Sequence, residues 1–385
     1  MALRIAVLSI PQHSVLKSSH LRIVYVLTSL GMGRAERQVL ALASRMAERG
    51  HTVALMVLRP RLEEEWPTRL RVVHLDMQRT PASVLQGLAT ARRFLRAYRP
   101  QLIHSHSFHA NVVARLLKLL VPAPVVLSTV HNVYEGGLHR MICYRLTDFL
   151  SKRTTAVSKA AAERFVNLKA IPRHKCVVVS NGIDVLENLP SQDRRIETRA
   201  AMQSADRFIW LTAGRLVPAK DIPNLLRAFA RVRAEMPNTQ LWIAGAGDAK
   251  TTQQANGSLQ HSATQDNVRW LGLRRDLPAL LDAADGFVLA SAWEGMPLVV
   301  GEAMAMEKPV VATDVGGVRE LVREAGVIAP PGNSEALAAA MLALMRSSHE
   351  VRQKLGRSAR SRIENYFSME TRADRWEWLY RSLVE

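Results

Sequence analysis

Short apolar runs recur along the chain, each followed by a turn and then by a stretch with helical spacing. Residues 21–28 (LRIVYVLT), 51–58 (HTVALMVL), 101–105 (QLIHS) and 124–130 (PVVLSTV) read as strands buried on both faces, and 71–75, 154–157 and 176–179 as shorter ones. Between them 35–49, ended by Gly50, and 81–98, opened by Pro81, have the pattern of amphipathic helices. A second series follows, with strands at 208–213, 240–244, 268–271, 286–290, 309–312 and 326–329. Its helices fall at 222–236, 277–284, 318–322, 334–345 and 351–366. Strands alternating with helices predict parallel sheets wrapped on both faces, an α/β fold. A length of 385 residues and two such series predict two domains.

The series change over near 180–184 (SNGID), after which the polar stretch 187–206 reads as a linker and a lead-in helix. The expected domains are 21–186 and 187–365, with a last helix in 366–385 rich in Trp376, Trp378 and Tyr380. LRIAVLS at 3–9 nearly duplicates LRIVYVL at 21–27. Residues 1–20 are therefore either an extra strand or an extension upstream of the functional start, and a loosely held extension is the expectation.

Charge changes this picture more than composition does. Residues 1–185 hold 27 Lys and Arg against 10 Asp and Glu, and the remainder holds 25 against 24, so nearly all of the net +18 lies in the first half. One domain is expected to face an anionic surface. Zinc-finger spacing and RNA-binding aromatic signatures are missing, which argues against nucleic acid. An anionic membrane fits better. Residues 89–98 (ATARRFLRAY) mix Arg92, Arg93 and Arg96 with Phe94 and Leu95, which suits lipid headgroups or a solvated helix face. The run 112–130 is broken by Arg115, Lys118, Pro122 and Pro124, so no span is expected, and the N-terminus does not read as a signal peptide. Cys143 and Cys176 have no metal-ligand spacing and are expected to be reduced thiols of a cytosolic protein.

The densest chemistry lies in 291–305, SAWEGMPLVVGEAMA. Glu294 sits in the loop after a strand, and Glu302 within an almost wholly apolar segment that Pro297 is placed to open as a helix. Two acids at a strand's carboxyl end suit the vicinal hydroxyls of a sugar, although a loop acid and a helix-surface acid would look the same. In 214–220 (GRLVPAK), Arg215 can fork onto phosphate oxygens and Lys220 adds a compact charge. Residues 245–248 (GAGD) end another strand but lack the third glycine of a dinucleotide fingerprint. Gly31 and Gly33 precede a helix whose N-terminus suits an anion, and Glu36 stands where a dinucleotide fold would need glycine. His104, His106, His109 and His131 cluster in the first half, but no acid stands at ligand spacing, so no metal site is expected.

The string at 291–305 resembles the E-x7-E signature of family-four glycosyltransferases, and 214–220 their GRL-x-P-x-K pattern. The resemblance runs from about residue 21 to the end. It implies two Rossmann-like doubly wound domains facing across a cleft (the GT-B type), with the last helix crossing back to the N-terminal domain. It implies that Glu294 touches donor-sugar hydroxyls, that Gly295, Met296, Pro297 and Leu298 meet the diphosphate, and that Glu302 binds the ribose. Arg215 and Lys220 would grip the diphosphate, with Gly31, Gly33, Gly245 and Leu273 also on the donor. His131 would touch the donor sugar or orient the acceptor, and His106 and Asn111 would line the acceptor cleft. The family usually has a further glycine where this chain has Arg34. The implied activity is retaining transfer from a nucleotide-sugar, UDP by family prevalence, without metal or other cofactor. The implied acceptor is a lipid-linked saccharide at the inner face of the cytoplasmic membrane in cell-surface polysaccharide assembly. An epimerase-like enzyme of the same architecture, or a non-catalytic sugar-nucleotide-binding protein, would share these motifs.

Overall fold

Every strand pairing in the structure is parallel, in two separate sheets. The structure is a computed structural model that describes residues 6–7, 20–31, 33–62, 67–121, 124–185, 189–247 and 265–385. Most of 1–20, the side chain of Arg34 and residue Asp248 lie outside the described residues.

The first unit comprises Met1–Gly182 and Met369–Glu385. Its strands are β1 (Ala6–Val7), β2 (Arg22–Leu27), β3 (Thr52–Val57), β4 (Arg71–His74), β5 (Leu102–His106), β6 (Val125–Val130), β7 (Arg153–Ala156) and β8 (Cys176–Val178). They lie in the order β1-β8-β7-β6-β5-β2-β3-β4. Ala6–Val7 pairs with Val177–Val178, so at least these two residues of the expected extension form an edge strand. The helices are α1 (Arg34–Glu48), α2 (Pro81–Tyr98), α3 (Phe108–Leu117), α4 (Leu138–Thr147) and α5 (Lys159–Asn167).

Side chains of β2 alternate between two cores, as the period of a strand requires. Ile23, Tyr25 and Leu27 join a cluster with Val39 and Met46 of α1, and with Trp376, Leu379 and Tyr380 of the last helix (Met369–Val384). Val24 and Val26 point the other way, onto Phe94 and Leu95 of α2 and Ala110 and Ala114 of α3. Phe94 and Leu95 are buried in this core, so the outer face of 89–98 presents Arg92, Arg93 and Arg96 without these apolar neighbours from the same segment.

Helices α3, α4 and α5 were not foreseen in the sequence. Arg115, which interrupts the apolar run 112–130, is fully buried in α3. Its guanidinium donates to Ser128 Oγ, the Tyr144 carbonyl, Thr147 Oγ1 and Thr154 Oγ1, which offsets the desolvation of the charge. Burial still lowers its pKa.

The second unit is Ile183–Ser368. Ile183 belongs here because its N–H donates to the Phe367 carbonyl at 2.7 Å. Its strands are β9 (Phe208–Ala213), β10 (Thr239–Ala244), β11 (Val268–Gly272), β12 (Gly286–Leu289), β13 (Val310–Thr313) and β14 (Val327–Ala329), in the order β11-β10-β9-β12-β13-β14. The helices are α6 (Gln192–Ala201), α7 (Ile222–Glu235), α8 (Leu277–Ala283), α9 (Leu298–Ala305), α10 (Val318–Val322), α11 (Ser334–Arg346) and α12 (His349–Tyr366); the last helix of the chain is α13. This strand order is that of a doubly wound Rossmann-type sheet, and β2 to β8 repeat it in the first unit. Side chains of Ser191, Asp221, Asn333 and Ser348 cap α6, α7, α11 and α12. Among the described residues no helix is long and apolar enough to cross a membrane.

Trp376 of α13 is buried against the first unit's sheet. Trp376→Ala is expected to cost about 3–5 kcal/mol. Urea unfolding followed by circular dichroism would measure it, and a loss below about 1 kcal/mol would show that α13 adds little to this core.

Candidate active site

In the second unit the strand order reverses between β9 and β12, so the loops leaving these neighbours diverge and open a crevice at the sheet's carboxyl edge. Lys220 stands on the short 3-10 turn Pro218–Lys220 after β9, and Glu294 on the loop after β12. The Lys220 Nζ and Glu294 Oε1 lie 2.5 Å apart. Ser291 Oγ donates to the same oxygen at 2.7 Å. The Ala292 N–H donates to the Ala219 carbonyl, so backbone as well as side chains ties these loops together.

Neighbouring loops are held by contacts that only glycine allows. Gly245 after β10 has φ 152°, and a Cβ there would lie 1.8 Å from the Gly214 carbonyl oxygen. The Gly245 N–H donates to the Gly272 carbonyl at 2.7 Å, which brings the exposed Leu273 alongside. Gly316 after β13 has φ 53°, and a Cβ there would lie 2.0 Å from the Glu294 carbonyl oxygen. The next N–H, of Gly317, donates to the Gly295 carbonyl at 2.7 Å.

Pro297 is the N-cap of α9 and no side chain caps the helix. Its first N–H groups and helix dipole favour an anion. Met296 and Pro297 are buried, and α9 is buried from Val299 to Ala305, Glu302 included. Arg215 is exposed and has no hydrogen-bond or ion-pair partner among the described residues. The structure thus joins Lys220 directly to Glu294, sets Gly245 against Gly214 of the first loop with Leu273 following Gly245's partner Gly272, and puts Gly295–Leu298 at the mouth of α9. Ser291 and Gly316 went unremarked in the sequence; the Gly-Gly pair after β13 was the signal for the second.

In the first unit His106 ends β5 and His131 follows β6. His106 Nδ1 and His131 Nε2 lie 3.0 Å apart, one ring donating and the other accepting. His106 Nε2 is buried and has no hydrogen-bond partner among the described residues. Ser107, next in the chain, has φ 72°, a strained value for a residue other than glycine. The His131 N–H donates to Glu135 Oε1 at 2.8 Å, and Tyr144 Oη donates to Glu135 Oε2 at 2.7 Å. His104 is instead fully buried, with one ring nitrogen 2.7 Å from Tyr380 Oη and the other 2.7 Å from Thr129 Oγ1. The rings bond to one another and to hydroxyls, and among the described residues no cluster of His, Cys, Asp or Glu has metal-site geometry.

Two expectations need correction. Asn111 cannot line an acceptor cleft, because it is fully buried: its Oδ1 accepts from Ser105 Oγ, and its Nδ2 donates to the Thr129 carbonyl and to Tyr144 Oη. The α1 N-terminus at Gly31 and Gly33 already has an anion beside it. A Cβ on Gly33 would lie 2.1 Å from Glu36 Oε2, so an incoming phosphate would have to displace that carboxylate.

The sequence matches the glycosyl transferases group 1 family over residues 207–347 and Glycosyltransferase Family 4 over residues 35–186. The chain belongs to the group 1 glycosyltransferases of the GT-B type. An uncharacterized glycosyltransferase of Methanocaldococcus jannaschii is 28% identical over 63% of this chain and 63% of its own length. UDP-Gal:alpha-D-GlcNAc-diphosphoundecaprenol alpha-1,3-galactosyltransferase of Escherichia coli is 24% identical over 78% of this chain and 80% of its own. Among solved structures, Anabaena Alr3699/HepE in complex with UDP shares the fold with a TM-score of 0.83 and 20% identity, over 94% of this chain and 100% of that one.

The histidines of this glycosyltransferase give its first unit a pH signature. Burial holds His104 and His106 well below 6.5 and His131 at about 4. The unfolded chain takes up these protons near pH 6.5, so their contribution is complete above that pH and is lost as pH falls toward 4. Glu135, pushed up by burial to about 6, acts oppositely: its contribution is complete below 4.5 and is lost as pH rises through 6. With three rings against one carboxyl, the urea midpoint is expected to fall between pH 7.5 and 5. A midpoint that rises over this range would contradict the buried neutral cluster.

Proposed function

We infer that this protein transfers a sugar, with retention of configuration, from a UDP-sugar to a hydroxyl of a lipid-linked saccharide. The work would be done at the inner face of the cytoplasmic membrane, in cell-surface polysaccharide assembly. The Lys220–Glu294 pair at the switch point, 2.5 Å apart beside the uncapped start of α9, is the observation that carries the reading. A sugar diphosphate has hydroxyls for a carboxylate and an anionic leaving group for an ammonium. UDP is favoured because the Escherichia coli relative is named for UDP-Gal and the Anabaena structure holds UDP. The lipid-linked acceptor follows the diphosphoundecaprenol in that relative's name.

In the proposed step the bond between the anomeric carbon and the β-phosphate oxygen breaks while the acceptor oxygen joins that carbon on the same face. The leaving phosphate oxygen takes the acceptor proton, so no protein nucleophile is needed. Lys220, Arg215 and the N–H groups at the start of α9 stabilise the charge growing on the diphosphate. Glu294 holds the donor sugar, Glu302 the ribose, and neutral His131 a sugar or acceptor hydroxyl. These cations and dipoles supply the positive charge the leaving group requires, so transfer is proposed to need no metal.

Incubation with a panel of nucleotide-sugars, followed by thermal shift and donor hydrolysis, would identify the donor. Lys220→Ala and Glu294→Gln are each expected to lower transfer about 10²–10³-fold while circular dichroism stays unchanged. Wild-type rates in both variants would refute the site. Transfer is also expected to continue at its full rate in EDTA, and loss of activity restored by a divalent cation would overturn the metal-free scheme.

A further inference from the structure

Helix α4 turns Met141 and Tyr144 into the first unit and leaves a row of large apolar side chains in water. Leu138 is 70% exposed, Ile142 55% and Leu146 67%, and Phe149 on the following 3-10 turn is 71% exposed. A spacing of four residues puts the three helical positions on one face. Scattered apolar residues need no explanation, but a continuous exposed row marks a surface that something covers.

Its charge identifies the occupant. Phe149 rims a hollow of about 530 Å³ whose walls include Arg145, Lys169, Arg173 and Lys175, with Ile171 and Pro172 as apolar lining. Among the described residues lining it the one acid, Asp148, is buried and its Oδ2 lies 2.9 Å from Lys175 Nζ, so its charge is directed inward. Apolar side chains beside a cationic hollow match a phospholipid surface, whose acyl boundary takes the row and whose phosphates take the hollow. A two-fold contact between identical faces would instead press these cations against their copies.

We propose that the α4 face, from Leu138 to Phe149 together with the cationic hollow, docks this protein on an anionic bilayer. The proposal deepens the lipid-linked acceptor reading, on which it rests for its biological sense. The row begins seven residues after His131, so a protein seated here has the carboxyl end of β6 close in sequence to its membrane contact.

Co-sedimentation of the full chain with phosphatidylglycerol vesicles, and with neutral phosphatidylcholine vesicles, tests it. Binding is expected to the first, at least tenfold weaker to the second, and to decline with added salt. Removing apolar side chains (Leu138→Ser with Ile142→Ser and Leu146→Ser) and removing cations (Arg145→Ser with Lys169→Ser and Arg173→Ser) should each lower partitioning tenfold or more. Melting temperature should hold, because all six side chains contribute little to packing. Four results would overturn the proposal. One is no binding to anionic vesicles, and another is undiminished binding by both variants. A third is sedimentation equilibrium showing that the apolar variant splits a dimer. The last is retention of an acidic peptide on the face while vesicles are ignored. Transfer to a water-soluble acceptor, assayed without vesicles, separates the two readings. Vesicle binding without transfer would sink the enzymatic reading alone, and transfer without vesicle binding would sink this one alone.

Discussion

Parallel strands buried on both faces leave little room for chemistry except at their ends. Within the second unit's sheet the order β11-β10-β9-β12-β13-β14 reverses direction once, between β9 and β12. Connections on either side of that point leave toward opposite faces, which is what sets a crevice at the carboxyl ends of these strands. Lys220 and Glu294 come from the two loops that border it, and their contact at 2.5 Å spans it. Side chains so placed need no special local sequence to meet, because the topology delivers them. The first unit repeats the plan: β2 and β5 are its diverging neighbours, and His106 ends one of them.

The loops around the crevice are fixed by backbone, which is why they can hold short contacts without long anchoring side chains. A Cβ at Gly245 or Gly316 would run into the carbonyl oxygen of Gly214 or Glu294, at 1.8 and 2.0 Å. Both glycines also sit at positive φ, so any other residue there would pay in strain as well as in space. Preorganisation of this kind matters most where charge develops during a reaction, since donors already in place need not reorient.

Periodicity showed most of the fold. Residues 208–213 and 81–98 were placed to the residue, because strands buried on both faces and a helix opened by Pro81 have unambiguous local patterns. Helices α3, α4 and α5 escaped for a tertiary reason. Arg115 reads as polar in any window, yet neighbours on α4, β6 and β7 accept four hydrogen bonds from it, and those neighbours are distant in sequence. Asn111 misled in the same way: an amide near two histidines suggests a ligand, and only the fold reveals Ser105, Thr129 and Tyr144 around it. The Lys220–Glu294 contact joins residues 74 positions apart, so sequence could nominate each but not their meeting. Resemblance to a known family nominated the residues; the strand order supplied the reason they meet.

Charge divides the chain along a different logic. In the second unit cations are matched: Arg194 pairs with Asp282, and Arg195 and Arg199 share Asp285, fastening α6 to α8. The first half of the chain holds 27 basic against 10 acidic residues, far more cations than internal pairing could use. Unbalanced like charge weakens a compact fold through self-repulsion, and the interior gains nothing from it. The bilayer contact proposed above would give this excess an anionic surface to meet. The nucleotide-sugar does not suffice, since the pair that suits it lies in the balanced half. The hollow beside Phe149, with four cations and an inward-paired Asp148, gives part of the excess a place and a shape. The exposed apolar row next to it is why the proposed partner is a bilayer, since a purely ionic ligand would have no use for Leu138, Ile142 and Leu146.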